Sequence, residues 1–339
     1  MSVSVSSLQQ AHSTTYVKPV PASQKEIQHL ALIKVWDAMF RGARAYVENN
    51  GFVAVHNMPE IVSVTGACEN VNTLFKVDYF GKQAFLAQSD QLYLELLTPH
   101  LKKVYAEMQS FRMEPDIDNR HLCQFSLFEI EHLGGIEELI NNISGIMRSI
   151  CSHVTKTCAK ELAAFGRDPE ALVNLKFERM TYTDAIKICQ GNFPNLQWGD
   201  DLTSVHEKFL CDLFGPAFIT HYPLEIKFFN MRQNEEDPAV VNSLDMLLPG
   251  VGESAGAAER EHDYHRILKR LKTSAMYKNL KALGAKDEDF DWYLDAHKDK
   301  VVPLHSGAGL GMARIAQFIL GNDDIRNSVP FLINRENLI

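Results

Sequence analysis

The sequence has no run of about 18 apolar residues, so it offers no candidate membrane span. Its N-terminus lacks the basic start and apolar core of a secretory signal. Cysteine is sparse: six residues, at 68, 123, 151, 158, 189 and 211, are scattered over 339 positions. That usage reads as small buried hydrophobes in a reducing cytosol rather than a disulfide frame, so a cytoplasmic location is expected. Cys151, His153 and Cys158 lie near one another but lack the further ligands a zinc site needs. Positive charge is in deficit, with 34 Lys and Arg against 43 Asp and Glu and a formal net charge of −9. An acidic surface repels phosphate backbones, so nucleic acid is not an expected partner. No internal repeat and no low-complexity tract interrupts the chain.

What is present is an ordinary globular composition, 45% hydrophobic and 23% charged, long enough for a sizeable core. Residues 1–24, rich in Ser, Gln, Thr and Val, read as an arm ahead of one domain over 25–339. Ile27, Leu30, Ile33, Trp36, Phe40, Ala43 and Val47 recur at helical spacing, and Asn50-Gly51 supplies a stop. The pattern then predicts a strand over 52–55, a hairpin of 73–80 with 83–88 around Gly81-Lys82, and a helix over 90–110. Strands follow at 111–114 and 122–131, with a long helix over 136–165. Strand-like runs at 221–232 and 240–248 flank an acidic turn, and 259–283 reads as helix. Strands interrupted by helices, without a βαβ rhythm, predict an α+β fold built on an antiparallel sheet flanked by helices.

Three segments carry chemistry. In the first, FRMEPDIDNRHLCQFSLFEIE (111–131), strand alternation places Arg112 and Glu114 on one face. It likewise groups Phe125, Leu127, Glu129 and Glu131. A guanidinium can fork onto a phosphate, an aromatic ring can stack on a base, and a carboxylate can pair with an ammonium. A solvent-exposed hairpin with ordinary salt bridges fits the same pattern. In the second, SLDMLLPGVGESAGAAERE (243–261), Asp245 and Glu253 are hard oxygen donors beside small residues that let a ligand approach, followed by Arg260. A glycine-rich surface turn is the alternative. The third, SGAGLGMARIAQFILG (306–321), is a Gly-rich run into a helix that carries Arg314. Its place near the C-terminus, outside a βαβ unit, argues against a dinucleotide fingerprint.

In this order the three segments resemble class II aminoacyl-tRNA synthetases, most closely the asparaginyl/aspartyl branch and its freestanding asparagine-synthetase-like relatives. GFVAVHNMP (51–59), FRMEPDIDNRHLCQF (111–125) and SGAGLGMAR (306–314) resemble the family's three motifs. KVDYFGKQAFLAQSDQLYLE (76–95), HYPLEIKFFNMR (221–232) and WYLDAHKDKVVPLHSG (292–307) resemble the asparaginyl branch. The resemblance implies the class II synthetase fold, ATP with Mg²⁺, and a homodimer formed through 51–59.

It also implies residue roles. Arg112 would bind the α-phosphate and Glu114 the adenine edge. Arg120 and His121 would lie near the outer phosphates, Phe125 under adenine, and Arg314 beside the γ-phosphate. Asp245 and Glu253 would hold Mg²⁺. Glu69, Gln91 and Glu129 would hold a substrate α-amino group, and Arg260 would read the side-chain end of aspartate or asparagine. The chain departs from the family pattern at Asn70, Gln124 and Ala313, and Leu94 stands where aspartyl enzymes carry a lysine.

With only about 24 residues ahead of the catalytic segment, against the ~100 an anticodon-binding barrel needs, tRNA is an unlikely partner on this reading. The expected reaction is therefore adenylation of aspartate and transfer to ammonia, giving asparagine, AMP and pyrophosphate. Its alternatives are a specialised ligase joining another carboxylic acid to an amine or carrier thiol, and a non-catalytic paralogue that binds amino acid or nucleotide.

Overall fold

The computed structural model describes residues 24–64, 73–298 and 301–338. The chain enters through helix α1 (Gln24–Asn49) and short strands β1 (Val53–Ala54) and β2 (Ile61–Val62). Strands β3 (Lys76–Tyr79) and β4 (Lys82–Leu86) form the expected hairpin, with Phe80 and Gly81 at positive φ in its turn. Helix α2 (Gln91–Leu101) leads to the long antiparallel pair β5 (Lys103–Phe111) and β6 (Gln124–Leu133). Helices α3 (Ile136–Thr157) and α4 (Ala159–Ala164) follow, then β7 (Glu178–Thr181), α5 (Tyr182–Gln190), α6 (Ser204–Phe214) and β8 (Ala217–Thr220). Strands β9 (Ser243–Leu248) and β10 (Gly252–Glu259) form a second hairpin. Helices α7 (Tyr264–Thr273), α8 (Ala275–Ala282) and α9 (Asp291–Leu294) lead to β11 (His305–Gly311) and α10 (Met312–Leu320).

Among the described residues eight strands form one sheet in the order β1-β5-β6-β11-β10-β9-β8-β7, parallel at its two edges and antiparallel between them, while β2, β4 and β3 form a small second sheet. Apolar side chains of α1, α3 and α10 pack with Phe128, Ile130, Ala257, Ala308 and Leu310 into the largest core cluster. This is the α+β arrangement that the pattern predicts. A second cluster joins α7, α8 and α9 to β4 and to Met108 and Leu127. Among the described residues no helix is long and apolar enough to cross a membrane.

Several boundaries differ from expectation, each for a local reason. The helix expected over 90–110 ends at Leu101: Pro99 removes a backbone donor in its last turn, and Lys102 turns to φ 70. Residues from Lys103 onward are strand, so Arg112 and Glu114 lie just past its end rather than on it. The helix expected over 136–165 breaks at Cys158, where the Thr157 hydroxyl bonds back to the His153 carbonyl at 2.7 Å. Residues 221–232 are mostly loop: His221 sits at φ 59 and Pro223 cannot donate to a ladder, so β9 pairs instead with β8 and β10. Residues 259–283 begin as the end of β10. The helices start only at Asp263 and Ser274, whose side chains accept from the Arg266 and Tyr277 amides.

Candidate active site

β5 and β6 bring the first segment, β9 and β10 the second, and β11 with α10 the third to one side of the large sheet. There they line a cavity of about 300 Å³. Gln91, Arg112, Glu114, Arg120, His121, Phe125, Glu129, Asp245, Glu253, Arg260 and Arg314 all border it. Glu69 and Asn70 lie outside the described residues. Leu94 is buried with Val104 and Ala106 between α2 and β5 and is not among the residues that line the cavity. Ala313 packs against Leu122 and Ile325 at the cavity wall.

One end of the cavity is cationic. The Arg112 guanidinium lies 5.1 Å from the centre of the Phe125 ring, and its Nε, like that of Arg120, is buried without a hydrogen-bond partner among the described residues. Asp118 holds the turn between β5 and β6, accepting from the Arg120 and His121 amides at 2.8 and 2.9 Å and bonding His121 Nδ1 at 2.7 Å. Arg120 is oriented by Glu207 of α6 at 2.7 Å, and Arg314 donates to the Glu253 carbonyl. Burial alone would push the Glu253 carboxyl up, but Arg314, Lys227, Arg112 and Arg120 hold it below its ordinary value.

Glu253 and Asp245 converge over Gly256, which pairs with Asp245 across the hairpin. A Cβ added to Gly256 would lie 3.4 Å from Glu253 Oε1 and 3.8 Å from Asp245 Oδ1. Two carboxylate side chains amid guanidinium N–H groups fit a polyphosphate sharing a hard cation such as Mg²⁺. Among the described residues no set of three or more His, Cys, Asp or Glu could hold a metal.

The other end is a closed polar network. Arg260 Nε lies 3.3 Å from Glu131 and 3.4 Å from Glu95, and all three residues are buried. Gln91 donates to Glu131, Asn230 Nδ2 donates to Glu95 at 2.6 Å, and the Tyr293 hydroxyl donates to the other Glu95 oxygen at 2.6 Å. Burial would lower the Arg260 pKa, yet Glu131 and Glu95 raise it; burial pushes the Glu131 carboxyl well up. Gly307 makes room for this packing, since an added Cβ would collide with Glu131 Oε2 and the Gln91 amide. Gly307→Ala is expected to cost ~1–3 kcal/mol by overpacking and to disorder Gln91. A denaturation midpoint equal to wild type would remove that constraint.

Between the two ends, Glu129 accepts from Ser89 Oγ at 2.5 Å and from the Asp90 amide at 2.8 Å. Both Asp90 carboxylate oxygens are buried and have no hydrogen-bond partner among the described residues. Burial lifts Glu129 to about 7. Burial, with help from Glu129 and Glu60, lifts Asp90 to about 8. Both carboxyls therefore hold a proton more readily than exposed ones do, because burial penalises their charged forms. These folded-state values exceed unfolded ones, so the folded chain holds the extra proton and the pair's contribution to stability is lost as pH rises from about 4 to about 8. The thermal midpoint of the ligand-free protein is expected to decline between about pH 5 and about pH 8, and Asp90→Asn to flatten that decline. An unchanged slope in Asp90→Asn would show that the pair does not titrate in this range.

Residue-by-residue reading placed Glu131 on the face of Glu129 but missed Glu95, Lys227 and Glu207. Glu95 lies one helical turn from Gln91, so spacing alone could have found it. Lys227 sits inside the quoted HYPLEIKFFNMR segment. No local signal marks Glu207, which arrives from α6.

The family model for class II tRNA synthetases (D, K and N) matches residues 22–335. An asparagine–tRNA ligase of Pyrococcus furiosus is 36% identical over 301 residues, 87% of this chain and 66% of the relative. One of Lactococcus lactis is 33% identical over 323 residues, 91% of this chain and 69% of the relative. The crystal structure of asparaginyl-tRNA synthetase from Pyrococcus horikoshii, complexed with asparaginyl-adenylate, superposes with a TM-score of 0.83 at 34% identity, covering 92% of this chain and 70% of that one. The chain thus spans about 66% of the length of the first of these relatives.

These relatives overturn two expectations. In asparaginyl-adenylate the side chain already carries its amide, so attack by ammonia on an activated aspartate is not the chemistry they represent. The relatives are ligases of tRNA, so the expectation that tRNA is not a partner is also overturned. A net charge averages over the whole surface and does not describe the local field where a polyanion docks. The chain belongs to the class II tRNA synthetases (D, K and N).

Proposed function

We propose that the chain adenylates the α-carboxylate of asparagine with ATP and passes the asparaginyl group to a tRNA. The observation that carries this reading is the polarity of the cavity. Unsatisfied guanidinium groups and two convergent carboxylates lie at one end, and the closed Arg260–Glu131–Glu95 network lies at the other. The carboxylate oxygen attacks the α-phosphorus, the bond to pyrophosphate breaks, and Arg112 stabilises the charge that develops. Mg²⁺ bound by Asp245 and Glu253 would neutralise phosphate charge. A ribose hydroxyl of the tRNA then attacks the carbonyl carbon and AMP leaves.

Asparagine is favoured over aspartate because Arg260 is already matched by two buried carboxylates. A neutral carboxamide, with one acceptor and two donors, enters that network without adding a third buried anion. The names of the relatives support the same choice. Purified protein incubated with Mg-ATP, tRNA and labelled asparagine is expected to yield acid-precipitable label, and labelled aspartate to yield none. Aspartate charging in preference to asparagine would refute the assigned specificity.

A further inference from the structure

The candidate metal carboxylate already has a cation on it. Lys227 Nζ donates to both oxygens of Asp245, at 2.9 and 3.2 Å, and both side chains are nearly enclosed, with 8% and 9% exposure. The ammonium also lies 4.2 Å from the centre of the Tyr222 ring, and its charge helps hold Glu253 ionised. The backbone beneath it is pinned: Arg270 donates to the carbonyls of Lys227, Phe228 and Met231. Any displacement of the ammonium must therefore come from rotation of the four-carbon stem.

A divalent cation cannot share both Asp245 oxygens with an ammonium at this distance, because the two charges would repel in a buried setting. Moving Lys227 off Asp245 forfeits a buried ion pair, a loss that a new anion at the ammonium would offset. A nucleotide's phosphates supply that anion. We propose that Lys227 is a nucleotide-binding residue that occupies the metal side of Asp245 until a nucleotide arrives, then moves to a phosphate oxygen, so that divalent-ion loading depends on nucleotide. This inference rests on the nucleotide reading of the site.

The test is Mn²⁺ binding to the full chain, read from the paramagnetic resonance signal of free Mn²⁺, with and without α,β-methylene-ATP. In the wild type the nucleotide is expected to tighten Mn²⁺ binding by about tenfold or more. Lys227→Gln should raise the nucleotide-free Mn²⁺ affinity by about tenfold, shrink the nucleotide effect and weaken nucleotide binding. Lys227→Arg, which keeps the charge and grips a carboxylate with two parallel N–H groups, should bind nucleotide-free Mn²⁺ no better than wild type. If Lys227→Gln fails to fold, that arginine variant still decides: tighter nucleotide-free binding would overturn the proposal, and binding no tighter than wild type would uphold it.

Unchanged nucleotide-free Mn²⁺ affinity in a folded Lys227→Gln would also overturn it. Nucleotide binding to the wild type, measured separately by equilibrium dialysis, distinguishes the two readings. No binding there would sink both, whereas normal binding with an unresponsive Lys227→Gln would sink only the role of the lysine.

Discussion

Replacing Arg112 by alanine is expected to lower asparagine-dependent ATP–pyrophosphate exchange by 10²–10³-fold, ~2.7–4 kcal/mol in the barrier, the scale seen when a donor to developing charge is removed. The guanidinium stands over Phe125 with its Nε buried and unpartnered. That arrangement is unfavourable in the empty protein and becomes favourable once an anion is supplied. The account assigns it to charge developing on the reacting phosphate, so the loss should fall mainly on kcat, with a smaller change in the KM for ATP. Lysine should rescue little, because a point charge lacks the planar fork that binds two oxygens at once. Near-normal exchange in Arg112→Ala would show that the residue does not contact the reacting group.

The second large effect concerns Arg260. It lies against Glu131 and Glu95 at 3.3 and 3.4 Å, with all three residues buried. Truncation to alanine leaves two buried carboxylates without their cation, so a loss of ~3–5 kcal/mol in unfolding free energy is expected near neutral pH. Burial already pushes Glu131 well up, and without the arginine it should rise further and bind a proton. The deficit relative to wild type should therefore shrink as pH falls, because protonation removes the unpaired charge. Urea unfolding at about pH 8 and about pH 5 reads this directly. A deficit that is small, or that grows at acid pH, would contradict the assigned network. Whatever folded variant remains should show a raised KM for asparagine with the KM for ATP almost unchanged.

The parts of the site legible in the sequence are those whose chemistry is packed into short segments. Arg112 and Phe125, thirteen residues apart on either side of a turn anchored by Asp118, were paired by motif and are in contact. Asp245 and Glu253 meet because the Gly-rich run between them is the two arms of a hairpin. The junction of β11 and α10 lies where the glycines and Arg314 placed it. What was not legible depends on long-range pairing. Glu207 comes from a separate helix to orient Arg120, and Tyr293 reaches Glu95 from a distant part of the chain. The boundary at Leu101 was missed because the apolar spacing of 90–110 suits a helix as well as a half-buried strand, and only Pro99 and the turn at Lys102 separate them.

The measurement that bears most directly on this account is ATP–pyrophosphate exchange driven by single amino acids, with tRNA omitted. Exchange that requires asparagine and Mg²⁺, is at least about tenfold weaker with aspartate, and disappears in Arg112→Ala is the predicted result. Exchange driven by aspartate, or none with any amino acid while labelled ATP still binds, would contradict the claim that this cavity activates asparagine.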